Sequence, residues 1–162
     1  MTRFQKRKPQ GPTIKRGMSK QDYQTDPRFI TAVKERFGEL TFDLAATEQN
    51  AQAPRFYSPQ DDSLAMDWSL LEGNLWLNCE FATAPHWAAK CACTTMQPGT
   101  RILLLTPASI GTNWFADHVH GQALVFALRP RLTFVGETNP YPRDLILSVY
   151  GMPPGFECWR WR

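Results

Sequence analysis

The run Ile102-Leu103-Leu104-Leu105-Thr106-Pro107 constrains the fold of this chain most. It has the length of a strand and no polar residue before Thr106. A strand with one wet face alternates polar and apolar residues. A continuous apolar run marks a strand covered on both faces, as in the centre of a parallel sheet. The surrounding patterns supply the covering elements. Asp26-Pro27 suits a helix start, Phe29, Ile30, Val33 and Phe37 recur at helical spacing, and Gly38 ends the run. Ala84 to Met96 and Thr112 to His120 also read as helices. Leu40 to Ala45 and Leu75 to Asn78 read as strands, with Arg55 to Ser58 a short further one. Leu124 to Leu128, Leu132 to Val135 and Leu145 to Tyr150 are strands clustered late in the chain. This order of elements predicts an α/β fold whose sheet is mostly parallel with antiparallel edge strands.

The strand over Leu75–Asn78 ends abruptly in Asn78-Cys79-Glu80-Phe81. The carboxyl end of a strand, opening into a loop, is where α/β sheets bind ligands. An amide oxygen and an aromatic ring three positions apart could hold a flat ring that bears an amino group. Asn78 would accept from the amino group and Phe81 would stack on the ring face. That is the chemistry of a nucleobase pocket. Taken alone, Asn78 also reads as a turn former and Asp43 as a cap at a strand end.

Charge is unevenly distributed. Residues 1–21 carry Arg3, Lys6, Arg7, Lys8, Lys15, Arg16 and Lys20 and no acid, while the remainder has a balance of −4. A basic arm on a slightly acidic body fits a polyanion such as nucleic acid, or a solubilising tail. Residues 1–20 lack apolar periodicity and are expected to be a flexible arm, 21–151 a single domain and 152–162 a C-terminal tail. Trp159-Arg160-Trp161-Arg162 would either pack on the body or grip nucleic acid. Arg129 and Arg131 either reach phosphate or form a solvated charge pair. No apolar run approaches a membrane span, and no apolar segment follows the basic N-terminus as in a secretory signal. The expectation is a soluble, intracellular protein.

Four cysteines do not suggest a disulfide framework in such a chain. Cys79, His86, Cys91 and Cys93 match no common zinc spacing, and Cys91 and Cys93 would face different sides of a helix. His118 and His120 lack further ligands at sensible spacing. No metal is expected. Trp114 and Phe115 read as core or cleft-lining residues.

The motifs, taken together, resemble the small phage-type DNA adenine-N6 methyltransferases, a Dam-like group. Asp22-Tyr23-Gln24-Thr25 is similar to that family's opening segment, and Phe42-Asp43-Leu44-Ala45-Ala46 to its FDLDAAA segment. Asn50-Ala51, Arg55-Phe56-Tyr57, Asp61-Asp62-Ser63-Leu64 and Asp67-Trp68 follow in the family's order. Trp76-Leu77-Asn78 sits where the family has WLNPPY. Leu103 to Ala108, Trp114-Phe115 and Arg129 to Phe134 are similar to its second half. The resemblance implies a Rossmann-like class I methyltransferase fold, S-adenosylmethionine as methyl donor and double-stranded DNA as partner, in the cytoplasm of a bacterial host. By position it implies Thr25, Asp43, Ala45, Asp62 and Asn78 at the cofactor, and Asn78, Cys79, Glu80 and Phe81 as the catalytic loop. Lys6, Arg7, Lys8, Lys15, Arg16, Arg129 and Arg131 would contact DNA.

Methylating an adenine amino group requires acceptors for its N–H bonds, so that the nitrogen lone pair can turn toward the methyl. Asn78 retains the side-chain acceptor, and Cys79 retains a backbone carbonyl as the second. Cys79 and Glu80 replace two prolines and lose their fixed φ. Two other readings therefore stand beside methylation. One is a methyltransferase-like protein that binds DNA without chemistry. The other is a related enzyme with a different acceptor, since the Glu80 carboxylate can accept from a cytosine amino group.

Overall fold

A computed structural model describes residues 23–162. Its elements run α1 (Pro27–Phe37), β1 (Leu40–Asp43), β2 (Asn74–Leu77), α2 (Ala84–Cys93), β3 (Arg101–Pro107), α3 (Asn113–His118), β4 (Ala123–Arg129), β5 (Leu145–Tyr150) and β6 (Gly155–Arg160). Six strands form one sheet in the order β1-β2-β3-β5-β4-β6. The pairs β1–β2, β2–β3 and β4–β6 are parallel, and β5 is antiparallel to both β3 and β4. Five strands thus point one way and their carboxyl ends share one rim. This arrangement is consistent with a Rossmann-like methyltransferase sheet.

The apolar runs are explained by burial on two faces. Ile102 and Leu104 pack with Ala84, Ala88 and Cys91 of α2 and Phe115 of α3 on one side. Leu103 and Leu105 pack with Phe29, Ile30 and Val33 of α1 on the other. The same logic places the antiparallel strand. Every residue of β5 is buried, and it lies inside the sheet, not at an edge. A run as uniformly apolar as Leu145–Tyr150 has no wet face to offer an edge position.

Local signals set the boundaries. The Asp26 carboxylate accepts from the Arg28 N–H at 2.9 Å, and Pro27 opens α1. Gly38, at φ 97°, closes it with its N–H on the Lys34 carbonyl. Asn74 Nδ2 donates to the Phe37 and Glu39 carbonyls at 2.9 and 3.1 Å, locking the α1–β1 turn onto β2. The segment Arg55–Ser58 makes a single bridge, Phe56 to Asp43, along the outer edge of β1. Leu132–Val135 is not a strand. Leu132 and Phe134 are buried, and the Val135 N–H donates to the Gln24 carbonyl, so the segment fastens the approach to α1 instead of joining the ladder.

Residues 152–162, expected as a tail, contain β6. Trp159 and Trp161 are 7% and 6% exposed. Trp159 lies within 6 Å of the Phe29, Phe37 and Phe126 rings (centroid separations 5.7, 5.9 and 5.8 Å), with the Arg36 guanidinium 5.1 Å from its own ring. Trp161 Nε1 donates to the Pro130 carbonyl at 2.6 Å. Alternation explains why such a short segment commits to the sheet: the tryptophans face the core while Arg160 and Arg162 face solvent. Trp159→Ala should therefore lower unfolding free energy by about 3–5 kcal/mol in urea titration. An unchanged midpoint would mean that β6 is detachable.

Candidate active site

The site forms where β1 and β2 lie side by side, Asp43 in register with Trp76. Both strands end at the carboxyl rim, and a cleft of about 540 Å³ opens there. That volume falls within the usual range for a small-molecule site. Thr25, Asp43, Ala45, Asp62, Asn78 and Glu80 all line it, so residues far apart in sequence meet at one cavity. Tyr23, Asn50, Gln52, Tyr57, Ser63 and Trp87 also line it and were not singled out as site residues from the sequence. They sit mostly on irregular segments, where no periodicity announces a role. For Tyr23, Asn50, Tyr57 and Ser63, the available signal was their place within the resembling segments.

Asn78 is the best-defined group. Its Nδ2 donates to the Tyr23 carbonyl at 2.6 Å and to Thr25 Oγ1 at 3.0 Å. A carbonyl can only accept, so the amide nitrogen must face Tyr23 and the orientation of the amide follows. Its Oδ1 is buried and has no hydrogen-bond partner. A buried acceptor without a donor costs free energy unless a ligand supplies one. Thr25 is itself 2% exposed, so this arrangement is fixed from behind.

Asp43 closes the other side. Its Oδ1 accepts from the Ala45 N–H at 3.2 Å and its Oδ2 from the Gln52 N–H at 3.0 Å. Those bonds tie the loop after β1 back onto the strand end. Burial pushes the carboxyl up to about 6, with the two backbone donors opposing the shift. The carboxylate retains lone pairs for a cationic or N–H-bearing ligand. Asp62, at φ 46°, turns the chain between two short 3₁₀ turns and carries its backbone along the cleft.

The remaining residues of the loop separate. Cys79 is 4% exposed and packs in the core on the α2 side. Burial pushes its thiol up to about 12, so its sulfur is an apolar filler and not a nucleophile. Only its main chain is available to the site. Glu80 is exposed and lines the cleft. Phe81 stands in an aromatic cluster, its ring centroid 5.8 Å from Tyr23 (stacked), 6.0 Å from Phe134 and 5.5 Å from Tyr141.

Of the basic residues, Arg129 ends β4 on the same rim and is exposed. Arg131 Nε is 2.9 Å from the Asp144 carboxylate and is thus already paired. Lys6, Arg7, Lys8, Lys15 and Arg16 lie outside the described residues. Among the described residues, no three His, Cys, Asp or Glu side chains converge as metal ligands. No helix among them is long and apolar enough to cross a membrane.

Comparison with known proteins bears on this geometry. Residues 14–144 match the profile of the family described as DNA N-6-adenine-methyltransferase (Dam). A DNA N-6-adenine-methyltransferase of Escherichia phage T1 is 30% identical over 124 residues, covering 76% of this chain and 51% of that protein. One of Haemophilus phage HP1 (strain HP1c1) is 22% identical over 148 residues, covering 85% of this chain and 84% of that protein. The chain thus spans about half the length of the T1 protein and most of the HP1 protein. The matched region ends just before β5, so the cleft, with β1, β2 and their loops, falls wholly within it. On this match the chain belongs to the DNA N-6-adenine-methyltransferase (Dam) family.

Proposed function

We propose that the protein methylates the N6 amino group of adenine in double-stranded DNA, with S-adenosylmethionine as methyl donor. One observation carries the reading: a buried Asn78 oxygen without a donor, on a residue that lines the cleft and is aligned from behind by Tyr23 and Thr25. An adenine amino group supplies the missing donor. Hydrogen bonds from N6 to Asn78 Oδ1 and to the Cys79 carbonyl draw both N–H bonds to one side and free the lone pair on the other. The freed lone pair would accept the methyl group that a bound sulfonium donor supplies, and N6 would release one proton to solvent. No tuned base is needed, because positioning and directed acceptors supply the catalysis.

The residues present fit the donor. It has a cationic sulfonium and an ammonium group, and Asp43 offers a buried carboxylate on the cleft wall. When bound, it supplies an electrophilic methyl. Asp43 and the polar loop 45–52 would hold its charged end, and Tyr57 with Trp76 would line its flat base. Cys79 lacks a proline's fixed φ, and its core packing supports the reading by holding the same carbonyl through burial. Glu80 on the cleft wall favours a second reading, transfer to another amino-bearing base.

Unmethylated DNA incubated with protein and S-adenosylmethionine, then digested and analysed by mass spectrometry, should yield N6-methyladenine. A different modified nucleoside would move the reading to the second acceptor. An unmodified digest, with DNA binding measured separately, would leave recognition without chemistry.

A further inference from the structure

We infer that Arg129, Arg160 and Arg162 form a phosphate-binding surface that holds the DNA backbone away from the target base. The inference rests on the DNA reading above, and two of its three residues, Arg160 ending β6 and Arg162 just after it, lie beyond the family match. Arg129 and Arg160 are the last residues of β4 and β6 and are directly in register. Registered residues on parallel strands point to the same face, so the two exposed arginine side chains leave the sheet from neighbouring positions. Like charges so placed repel, and an anion between them removes the cost.

The neighbouring acids do not remove it. Asp144 is paired with Arg131, Glu157 with Arg36 and Asp26 with Arg28, and Asp26 also feels the charge of Arg162, which leaves Arg129 and Arg160 as the pair without an acidic side chain. Among the described residues, no Asp or Glu side chain forms an ion pair with Arg129, Arg160 or Arg162. Arg160 Nε reaches only the main-chain oxygen of Arg162, at 3.3 Å. A single arginine on an edge strand is ordinary protection against edge pairing. Three on the same rim, two of them in register, ask for more than that.

The mounting is rigid. The Trp161 N–H donates to the Arg129 carbonyl at 3.1 Å, and the ring of Trp161 is buried with the Arg162 guanidinium 5.0 Å above it. Little freedom is then lost when a phosphate is gripped. The position also suits a duplex. Arg129 and Arg160 share the carboxyl rim with Asn78, three and four strands along the sheet order. At about 4.8 Å per strand that is roughly 15–20 Å. A backbone rising about 3.4 Å per nucleotide would place the contacted phosphates roughly four to six base pairs from the extruded adenine.

The test is the salt dependence of DNA binding by the full chain, measured by fluorescence anisotropy. Removing two phosphate contacts in the double variant Arg129→Gln/Arg160→Gln should reduce the slope of log K against log salt by about 1.8. Between about 50 and 200 mM salt, the wild type's advantage over that variant should shrink about tenfold. The loss should be equal for unrelated DNA sequences. Lys34→Gln, on α1 and ion-paired with Glu39, removes a charge elsewhere and should move the slope much less per charge. Wild-type binding with an unchanged slope in the double variant overturns the inference alone. So does an equal effect per charge in Lys34→Gln, which would reduce it to net charge. Wild type that binds no DNA overturns the DNA reading and the inference together.

Discussion

Asn78→Ala is expected to lower the rate of methyl transfer by about 10²–10³, the usual effect of removing one preorganised hydrogen-bonding group at a reacting centre. DNA affinity should change little, because the lost acceptor acts on one amino group and the backbone contacts remain. The substitution also removes the two donors that satisfy the Tyr23 carbonyl and Thr25 Oγ1. Leaving a buried carbonyl unpaired costs about 1–3 kcal/mol, so stability is measured alongside the rate. A companion variant separates the roles. Thr25→Val keeps shape and burial but takes away one of the two partners that aim the amide. Tyr23 still holds the other N–H, so the amide is loosened and not lost. A decrease in turnover of about tenfold with Thr25→Val, reversed by Thr25→Ser, identifies Thr25 as a positioning residue. Displacement of a reacting group by about 1 Å is enough for an effect of that size or more. Full activity in Asn78→Ala would remove Asn78 from the mechanism. Equal loss in the valine and serine variants of Thr25 would reduce Thr25 to packing.

What could be read in advance follows from periodicity. The helix at Pro27–Phe37 and the strand at Arg101–Pro107 show their burial in the spacing of single residues, and both are where the pattern puts them. Helices α2 and α3 end at Cys93 and His118, earlier than their apolar patterns suggest, because helix ends are set by local backbone bonds that periodicity does not report. The Leu132–Val135 run has strand composition yet follows Pro130, which offers no N–H to a ladder, and its Val135 N–H is taken by the Gln24 carbonyl while the Leu132 carbonyl accepts from Tyr141. The position of β5 depended on a partner choice. Whether a late apolar strand inserts between β3 and β4 or adds at an edge is decided by long-range pairing. The C-terminal tryptophans were readable only as a choice between core and nucleic acid, and alternation buries the tryptophans while it leaves Arg160 and Arg162 exposed. At the site, Asn78 was legible because it closes an apolar strand with a polar residue and has an aromatic three positions on, whereas Asp43, alone a cap, was legible only through the resembling segment Phe42–Ala46. Tyr23, Gln52 and Ser63 were not, because their side chains reach the cleft from loops whose path depends on the finished sheet. Cys79 shows the limit most clearly. Its identity suggests reactivity, while its burial leaves only a carbonyl.

The second large effect concerns Asp43. In an unfolded chain its carboxyl titrates near 3.8, and burial raises it to about 6. The native state therefore holds a proton between those values that the unfolded state has lost. Its contribution to stability falls as pH rises through that window, and above about pH 6 the buried charge costs about 3 kcal/mol. Asp26 lies outside the window, because hydrogen bonds from Arg28 hold its carboxyl below the ordinary range. A structure that carries so costly a charge on the wall of a cleft gains when a cation arrives there. Binding of S-adenosylmethionine should accordingly favour ionised Asp43, and below pH 6 it must first displace a proton. The dissociation constant, measured by calorimetry without DNA, should be about tenfold weaker at pH 5 than at pH 7. An α-ammonium group stays largely protonated over that interval, so the dependence belongs to the protein. Asp43→Asn should weaken binding at pH 7 and, more tellingly, flatten the pH dependence. The asparagine retains one acceptor but sets an N–H donor against Ala45 or Gln52, so affinity alone would mix lost charge with a loosened loop. A wild-type affinity that is constant from pH 5 to pH 7 would mean that the donor's cationic groups lie elsewhere. Asp43 would then be a structural staple for the loop after β1.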